Sequence, residues 1–199
     1  PFGLDISDSL IRLALVEHPR AGWRLAVRGE IAVPSGWIVE GEIHKPDDVG
    51  RLIGQLIKAA GPKTKQVIVS LPERHTFLKL ITVTDDSPST MADKVKTAAS
   101  QHLPFAWEEM YSDWAVLPGK NSLRQTQVMV AAAPRGLIDT YTSVLTGLDL
   151  ELISYEIESL AIARATLTKE QLRATYIILD LGRTRSTLML VKKGIVKFS

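Results

Sequence analysis

The chain has no cysteine. That excludes disulfides, thiolate metal sites and cysteine nucleophiles, and is compatible with a reducing compartment. No stretch approaches the roughly 18 unbroken apolar residues of a membrane span, and no signal-peptide pattern opens the sequence. A formal net charge of +2 gives no general pull toward nucleic acid or an anionic membrane, and no run of like charge stands out. Several signatures are missing too. There is no Gly-x-x-x-x-Gly-Lys-[Ser/Thr] loop, no Gly-x-Gly-x-x-Gly fingerprint and no His-Glu-x-x-His. Ser70 precedes Leu-Pro rather than sitting in Gly-x-Ser-x-Gly, so it is no hydrolase nucleophile. The four histidines, His18, His44, His75 and His102, are dispersed, which favours surface or structural roles over a metal site. Glu108 and Glu109 are adjacent, as solvated glutamates commonly are.

What remains is an ordinary globular composition, 45% hydrophobic and 23% charged over 199 residues, enough for one good-sized domain or two small ones. Strands are expected at about Gly3–Ile6, Ile11–Val16 and Trp23–Ile31. A loop over 34–46 follows, its Trp37, Ile38 and Ile43 lying over a core edge. Asp47 or Asp48 is positioned to cap a helix running to Ala60, with Val49, Leu52, Ile53, Leu56 and Ile57 on one face. The compact apolar run Gln66–Pro72 reads as a buried strand parallel to an earlier one. A small α+β block is expected next: a strand over Thr76–Val83, a helix over Thr90–Gln101 with Met91, Val95 and Ala98 inward, and hairpin arms at Tyr111–Leu117 and Gln125–Ala133 joined by a turn over 118–122. Pro134 should open a helix to Thr146. Leu148–Glu151 then leads into a helix near Ile157–Leu167. The chain ends while a strand is under way, so a fragment of a longer protein is expected.

Two hairpins share one design. Gly3-Leu4-Asp5-Ile6-Ser7-Asp8-Ser9 and Tyr176-Ile177-Ile178-Leu179-Asp180-Leu181-Gly182-Arg183-Thr184 are each an apolar strand carrying an aspartate near its end, then a tight polar turn and a second apolar strand. Phosphate binding needs inward N–H groups, small side chains and hydroxyls. Ser7 and Ser9 supply hydroxyls in one turn; Gly182, Thr184 and Ser186 serve in the other. Asp5 and Asp180 are placed to hold Mg²⁺ directly or through water. The same turn chemistry also closes hairpins that bind nothing.

Taken in order, Gly3-Leu4-Asp5-Ile6-Ser7, the loop ending Glu40-Gly41-Glu42-Ile43, Val67–Pro72, Gln101-His102-Leu103-Pro104-Phe105, Asp113-Trp114-Ala115-Val116-Leu117, Val128–Ala133, Glu158–Ala165 and Asp180-Leu181-Gly182 resemble the actin/Hsp70-like ATPase superfamily. Within it they resemble the type IV pilus assembly family PilM, a relative of the cell-division protein FtsA. The resemblance implies an α/β actin-like ATPase (ribonuclease H-like) fold. Residues 1–73 and 152–199 would form subdomain 1A, and 74–151 an inserted subdomain 1C. It implies ATP and Mg²⁺ as cofactors of the full-length parent, weakly bound or unbound by this fragment, which lacks the opposing lobe. Asp5, Ser7 and Ser9 fall on the first phosphate motif, and Asp180, Gly182 and Thr184 on the second, with Asp5 and Asp180 toward metal. It implies a cytoplasmic scaffold with weak ATPase activity at most and no catalytic residue in this fragment. The partner would be the cytoplasmic tail of a PilN-like inner-membrane protein, docked in a groove bounded by 1A and 1C, with self-association in a ring and only indirect membrane association.

The chain departs from the family where glycine usually follows the first Asp-Ile. Ser7 stands there, followed by Asp8, whose carboxylate must face away from phosphate or bind metal. Arg183 and Arg185 flank Thr184 in the second turn. Leu103, Phe105, Trp107 and Trp114 are the candidate partner-binding residues. The aromatic cluster Trp107, Tyr111 and Trp114 reads first as packing of the small block, with an exposed edge that holds a partner peptide as the rival. The rival functions are an interaction module with a decayed nucleotide site, an FtsA-like protein, and a metabolic kinase; the inserted block and the want of an identifiable general base argue against the last.

Overall fold

The computed structural model describes residues 1–20, 22–84, 89–118, 125–183 and 185–199. Most of the expected turn at 118–122, and Thr184, lie outside them. The described chain divides into two compact units, Pro1–His75 with Gly136–Ala161, and Thr76–Arg135 with Ile162–Ser199.

The first unit is built on strands β1 (Phe2–Ile6), β2 (Leu10–Glu17), β3 (Arg24–Ala32), β6 (Gln66–Leu71) and β10 (Glu151–Ile157), ordered β10-β6-β1-β2-β3 in one sheet. β1, β2 and β3 form an antiparallel meander, while β6 runs parallel to β1 and β10 parallel to β6. A parallel neighbour needs a crossover, and helix α1 (Pro46–Ala60) supplies it. Val49, Ile53 and Leu56 are its buried face. Its first turn differs from the expected cap: Lys45 holds the cap position without a side-chain bond, and Pro46 stands at the start. Proline loses nothing there, because the first N–H groups have no helical partner. Asp47 and Asp48 instead sit inside the first turn, where carboxylates favour the positive helix end. Gly61 stops α1 in a left-handed conformation, its N–H bonding Ile57 O at 2.9 Å.

A two-strand ribbon, β4 (Ile38–Val39) and β5 (Glu42–Ile43), forms within the expected loop, and Ile38 and Ile43 are buried as anticipated. Helix α3 (Arg135–Thr146) contributes Tyr141, Val144 and Leu145 to the core. β10 corrects the expectation that the chain would pass from Glu151 directly toward a helix; helix α4 (Glu158–Thr166) begins only after the strand. The pairing of β10 slips between Leu152 and Ser154, and such a bulge breaks the period-2 alternation by which strands are recognised.

In the second unit, strands β7 (Phe77–Thr84), β9 (Gln125–Pro134) and β8 (Met110–Val116) form an antiparallel sheet in the order β7-β9-β8. Helix α2 (Met91–Ser100) buries Val95 and Ala99 against Ile81, Val83, Val128 and Val130. Met91, expected inward, is exposed: it is the first residue of α2, one turn before the buried Val95–Ala99 pair. Thr90 caps α2, its hydroxyl accepting the Asp93 N–H at 3.2 Å. A further antiparallel sheet holds β11 (Thr175–Leu181), β12 (Ser186–Lys192) and β13 (Ile195–Phe198). β13 lies against β7, within the same compact unit.

Candidate functional site

The first hairpin turn closes on itself. After the Ile6–Ile11 pair, the Ser7 N–H and the Ser7 hydroxyl both donate to Leu10 O, at 3.0 and 2.8 Å. Ser9 O accepts the N–H of Val33 at 3.0 Å, which ties the end of β3 to the turn. The Ser7 hydroxyl proton is thus committed to the turn, although its oxygen can still accept.

Asp8 faces away from the turn mouth. Its Oδ1 accepts the N–H of Gly41 at 2.8 Å. Gly41 has φ of 89°, and a Cβ there would lie 2.5 Å from Pro72 Cβ, so no other residue fits. Its carbonyl accepts the buried Tyr141 hydroxyl at 2.7 Å. One glycine therefore joins the first turn, the β4–β5 ribbon, the residue after β6, and α3. The unusual Asp8 serves as an anchor here.

Asp5 sits two strands from the sheet edge, in a row set by register: Ser70 on β6, Asp5, Arg12 on β2 and Glu30 on β3. Arg12 Nη1 lies 3.3 Å from Asp5 Oδ2, and its Nε lies 3.9 Å from Glu30 Oε2. The carboxylate proposed for Mg²⁺ thus already shares a guanidinium. Sequence reasoning missed Arg12. The signal was available, because a turn closed between Ser7 and Leu10 puts residue 12 opposite residue 5.

Past β6, Glu73 accepts the backbone N–H and the hydroxyl of Ser159, both at 3.1 Å. The carboxylate satisfies donors at the start of α4 that have no helical acceptor. Glu40, at φ of 55°, pairs with Arg74 at 2.8 Å. His75 Nδ1 lies 3.6 Å from Glu42 Oε1.

The second hairpin is in the other unit. Asp180 pairs across strands with Thr187, and Leu181 with Ser186. The Gly182 N–H donates to Arg185 O at 2.9 Å, and a Cβ on Gly182 would lie 2.7 Å from that oxygen. The glycine lets the turn close. Arg183 is exposed and Arg185 half-buried.

Among the partner candidates, Trp107 and Trp114 pack against the Val95–Val130 core of the second unit. Leu103 is half-buried, and Phe105 is exposed. Tyr111 is also exposed, with the Arg135 guanidinium 4.4 Å over its ring. Packing accounts for the two tryptophans, which leaves Phe105 as the accessible aromatic of the four residues. Among the described residues no group of three or more His, Asp or Glu side chains is placed to hold a metal. Asp5 and Asp180, the carboxylates expected toward Mg²⁺, each stand singly in their hairpins, a donor count that would suit an ion held mainly by phosphate oxygens and water.

A meander, crossover helix and parallel strand with polar hairpin turns define the class: the protein has an actin-like ATPase fold. The model of the family described as type IV pilus assembly protein PilM matches residues 3–199, and the chain belongs to that family. It is similar to the solved PilM–PilN type IV pilus biogenesis complex, with 24% identity and a TM-score of 0.84 over 98% of this chain and 59% of that one. It therefore spans less than two thirds of the PilM chain it matches. The cytoplasmic domain of EpsL, an inner-membrane component of the type II secretion system of Vibrio cholerae, shares the fold at 8% identity and a TM-score of 0.59, over 94% of this chain and 69% of that one. A Bacteroides thetaiotaomicron protein with an actin-like ATPase fold does so at 8% identity and 0.53, over 99% and 67%. No curated protein sequence matches the chain.

Proposed function

We propose that this chain is part of a cytoplasmic ATP-binding scaffold for type IV pilus assembly or secretion, which binds the cytoplasmic tail of a PilN-like inner-membrane protein. The observation that carries the reading is family membership over residues 3–199, together with the turn chemistry of both hairpins. ATP acts as a conformational ligand that sets affinity for partners, with slow hydrolysis at most. Ser9 and the turn N–H groups receive phosphate oxygens from one hairpin; Gly182 and Thr184 do so from the other. Asp5 and Asp180 would hold Mg²⁺, directly or through water, and the ion would supply charge neutralisation at the phosphates. Phe105 and Leu103 meet the partner tail, with Trp107 and Trp114 supporting them from the core side.

Calorimetry with Mg-ATP on a chain long enough to carry both lobes tests this. Binding by the parent sequence and its loss in Asp5→Ala are expected; no binding by the parent would sink the nucleotide reading. Phe105→Ala should weaken capture of the partner tail about tenfold, as an aromatic anchor does.

One observation favours a second reading, an interaction module whose nucleotide site has decayed. Arg12 already occupies Asp5 at 3.3 Å. In that case the tail binds with full affinity and Mg-ATP changes nothing.

A further inference from the structure

The β2–β3 hairpin outruns the helix that covers it. Val27 and Gly29 alternate inward on β3, and a Cβ on Gly29 would lie 2.8 Å from Leu56 and 3.2 Å from Ala60 of α1, while past a slip in the pairing Leu25 faces Val16. α1 stops at Ala60, beside Gly29, yet β3 begins five positions earlier at Arg24. The projecting end carries Val16 opposite Leu25, and Trp23 stacked edge-on against His18 at 4.4 Å. Trp23 is 76% exposed, Leu25 53% and Val16 50%. An indole this exposed is unusual in a soluble surface, where large apolar groups normally find cover.

Cations share this end of the sheet. Arg20 and Arg24 stand on the hairpin, Lys58 in the last turn of α1, and Lys63 and Lys65 between α1 and β6. All lie toward the end of the sheet at which β6 and β3 begin. Arg24 pairs with Glu17, and Lys65 with Asp149. Among the described residues, Arg20, Lys58 and Lys63 have no ion pair. Glu151 is the further acid at this edge. The local balance is positive even though the whole chain is almost neutral.

We propose that this hairpin end is a peripheral contact with an anionic phospholipid surface. Three apolar side chains on a narrow projecting hairpin offer far less than the ~1,200 Å² that a stable protein interface buries. They suit a bilayer interface, where indoles settle at headgroup depth and unpaired lysines and arginines meet acidic lipid. The hairpin end lies at the opposite end of β2 from the Ser7–Ser9 turn. The eight residues of β2 put roughly 27 Å between them, so lipid contact leaves the phosphate turn open. The inference uses this end alone and stands whether or not nucleotide binds.

The test is co-sedimentation with phosphatidylcholine vesicles, with and without phosphatidylserine, at low and physiological salt. Binding only to the acidic vesicles is expected, weakening with salt. Arg20→Glu with Lys63→Glu should reduce it by at least fivefold per charge removed, and Trp23→Ala should also reduce it. Both changes are at exposed sites, and circular dichroism verifies the fold. Leu179→Ser with Leu181→Ser, which alters a different exposed apolar surface, should leave binding unchanged. The proposal is overturned if acidic vesicles are not bound, or if binding ignores Trp23 and charge reversal. It is also overturned if Trp23→Ala abolishes self-association in sedimentation velocity while the parent ignores vesicles, since the end would then be a protein contact.

Discussion

Gly41 ties together more of the first unit than any candidate phosphate-site residue does. It receives Asp8, gives its carbonyl to Tyr141 and lies against Pro72. Alanine at this position would meet both a positive φ and a Cβ only 2.5 Å from proline carbon. Strain of this sort costs about 1–3 kcal/mol for the backbone alone, so Gly41→Ala should destabilise by roughly 2–4 kcal/mol once the clash is included. Asp8→Ala removes a charged acceptor and should cost about 1–2 kcal/mol, while Asp8→Asn, which keeps an oxygen, should cost less. Urea denaturation measures all three; equal stabilities for alanine and asparagine at position 8 would refute the anchoring role. At this scale the sequence was half legible. It marked Asp8 as anomalous and required it to face away or bind metal. Its partner 33 residues away was invisible, because a backbone N–H leaves no trace in residue identity.

Secondary elements were legible where periodicity was unbroken. α1 shows its buried face plainly, and the three-strand meander follows from alternation. β10 was lost because its bulge moves Ser154 into the position a strand pattern reserves for Ile153. α2 shows a related difficulty. Its short amphipathic face fixes Val95 but leaves the choice between Met91, Ala98 and Ala99 to packing that the sequence does not record. The tie between α2 and the segment before β8 can be tested electrostatically. Lys96 Nζ lies 2.8 Å from Glu108 Oε1, and this hydrogen bond holds the Glu108 carboxyl below its ordinary value. A depressed folded value means that the contribution is present above the ordinary carboxylate pKa and is lost as pH falls through the folded one. Both groups are exposed, so the effect on stability is small. The readout is therefore the titration itself: carboxyl carbon NMR should show the Glu108 midpoint rising in Lys96→Met. An unchanged midpoint would remove the link.

Across the whole molecule, the two aspartate hairpins fall in different compact units, an arrangement that a reading of two matching turns did not anticipate. The second hairpin sheet is also strongly two-sided. Met189, Val191 and Val196 are buried on one face, where alternation also places Asp180 opposite Thr187. The other face presents Ile177, Leu179, Leu181, Leu188 and Phe198 to solvent, with Leu181 at 73% exposed. Register places Leu179 beside Leu188, and Leu190 beside both Ile177 and Phe198, so these side chains form one continuous patch. Patches of this kind mark interfaces or aggregation liabilities. Leu179→Ser with Leu181→Ser should accordingly reduce dye binding by the hydrophobic probe ANS and slow aggregation. Stability should change by less than about 1 kcal/mol, as exposed substitutions do. Met189→Ser on the opposite face should instead cost about 3 kcal/mol, through lost packing and an unpaired hydroxyl. Equal losses of stability from both faces would show that the solvent-facing leucines are already packed in solution.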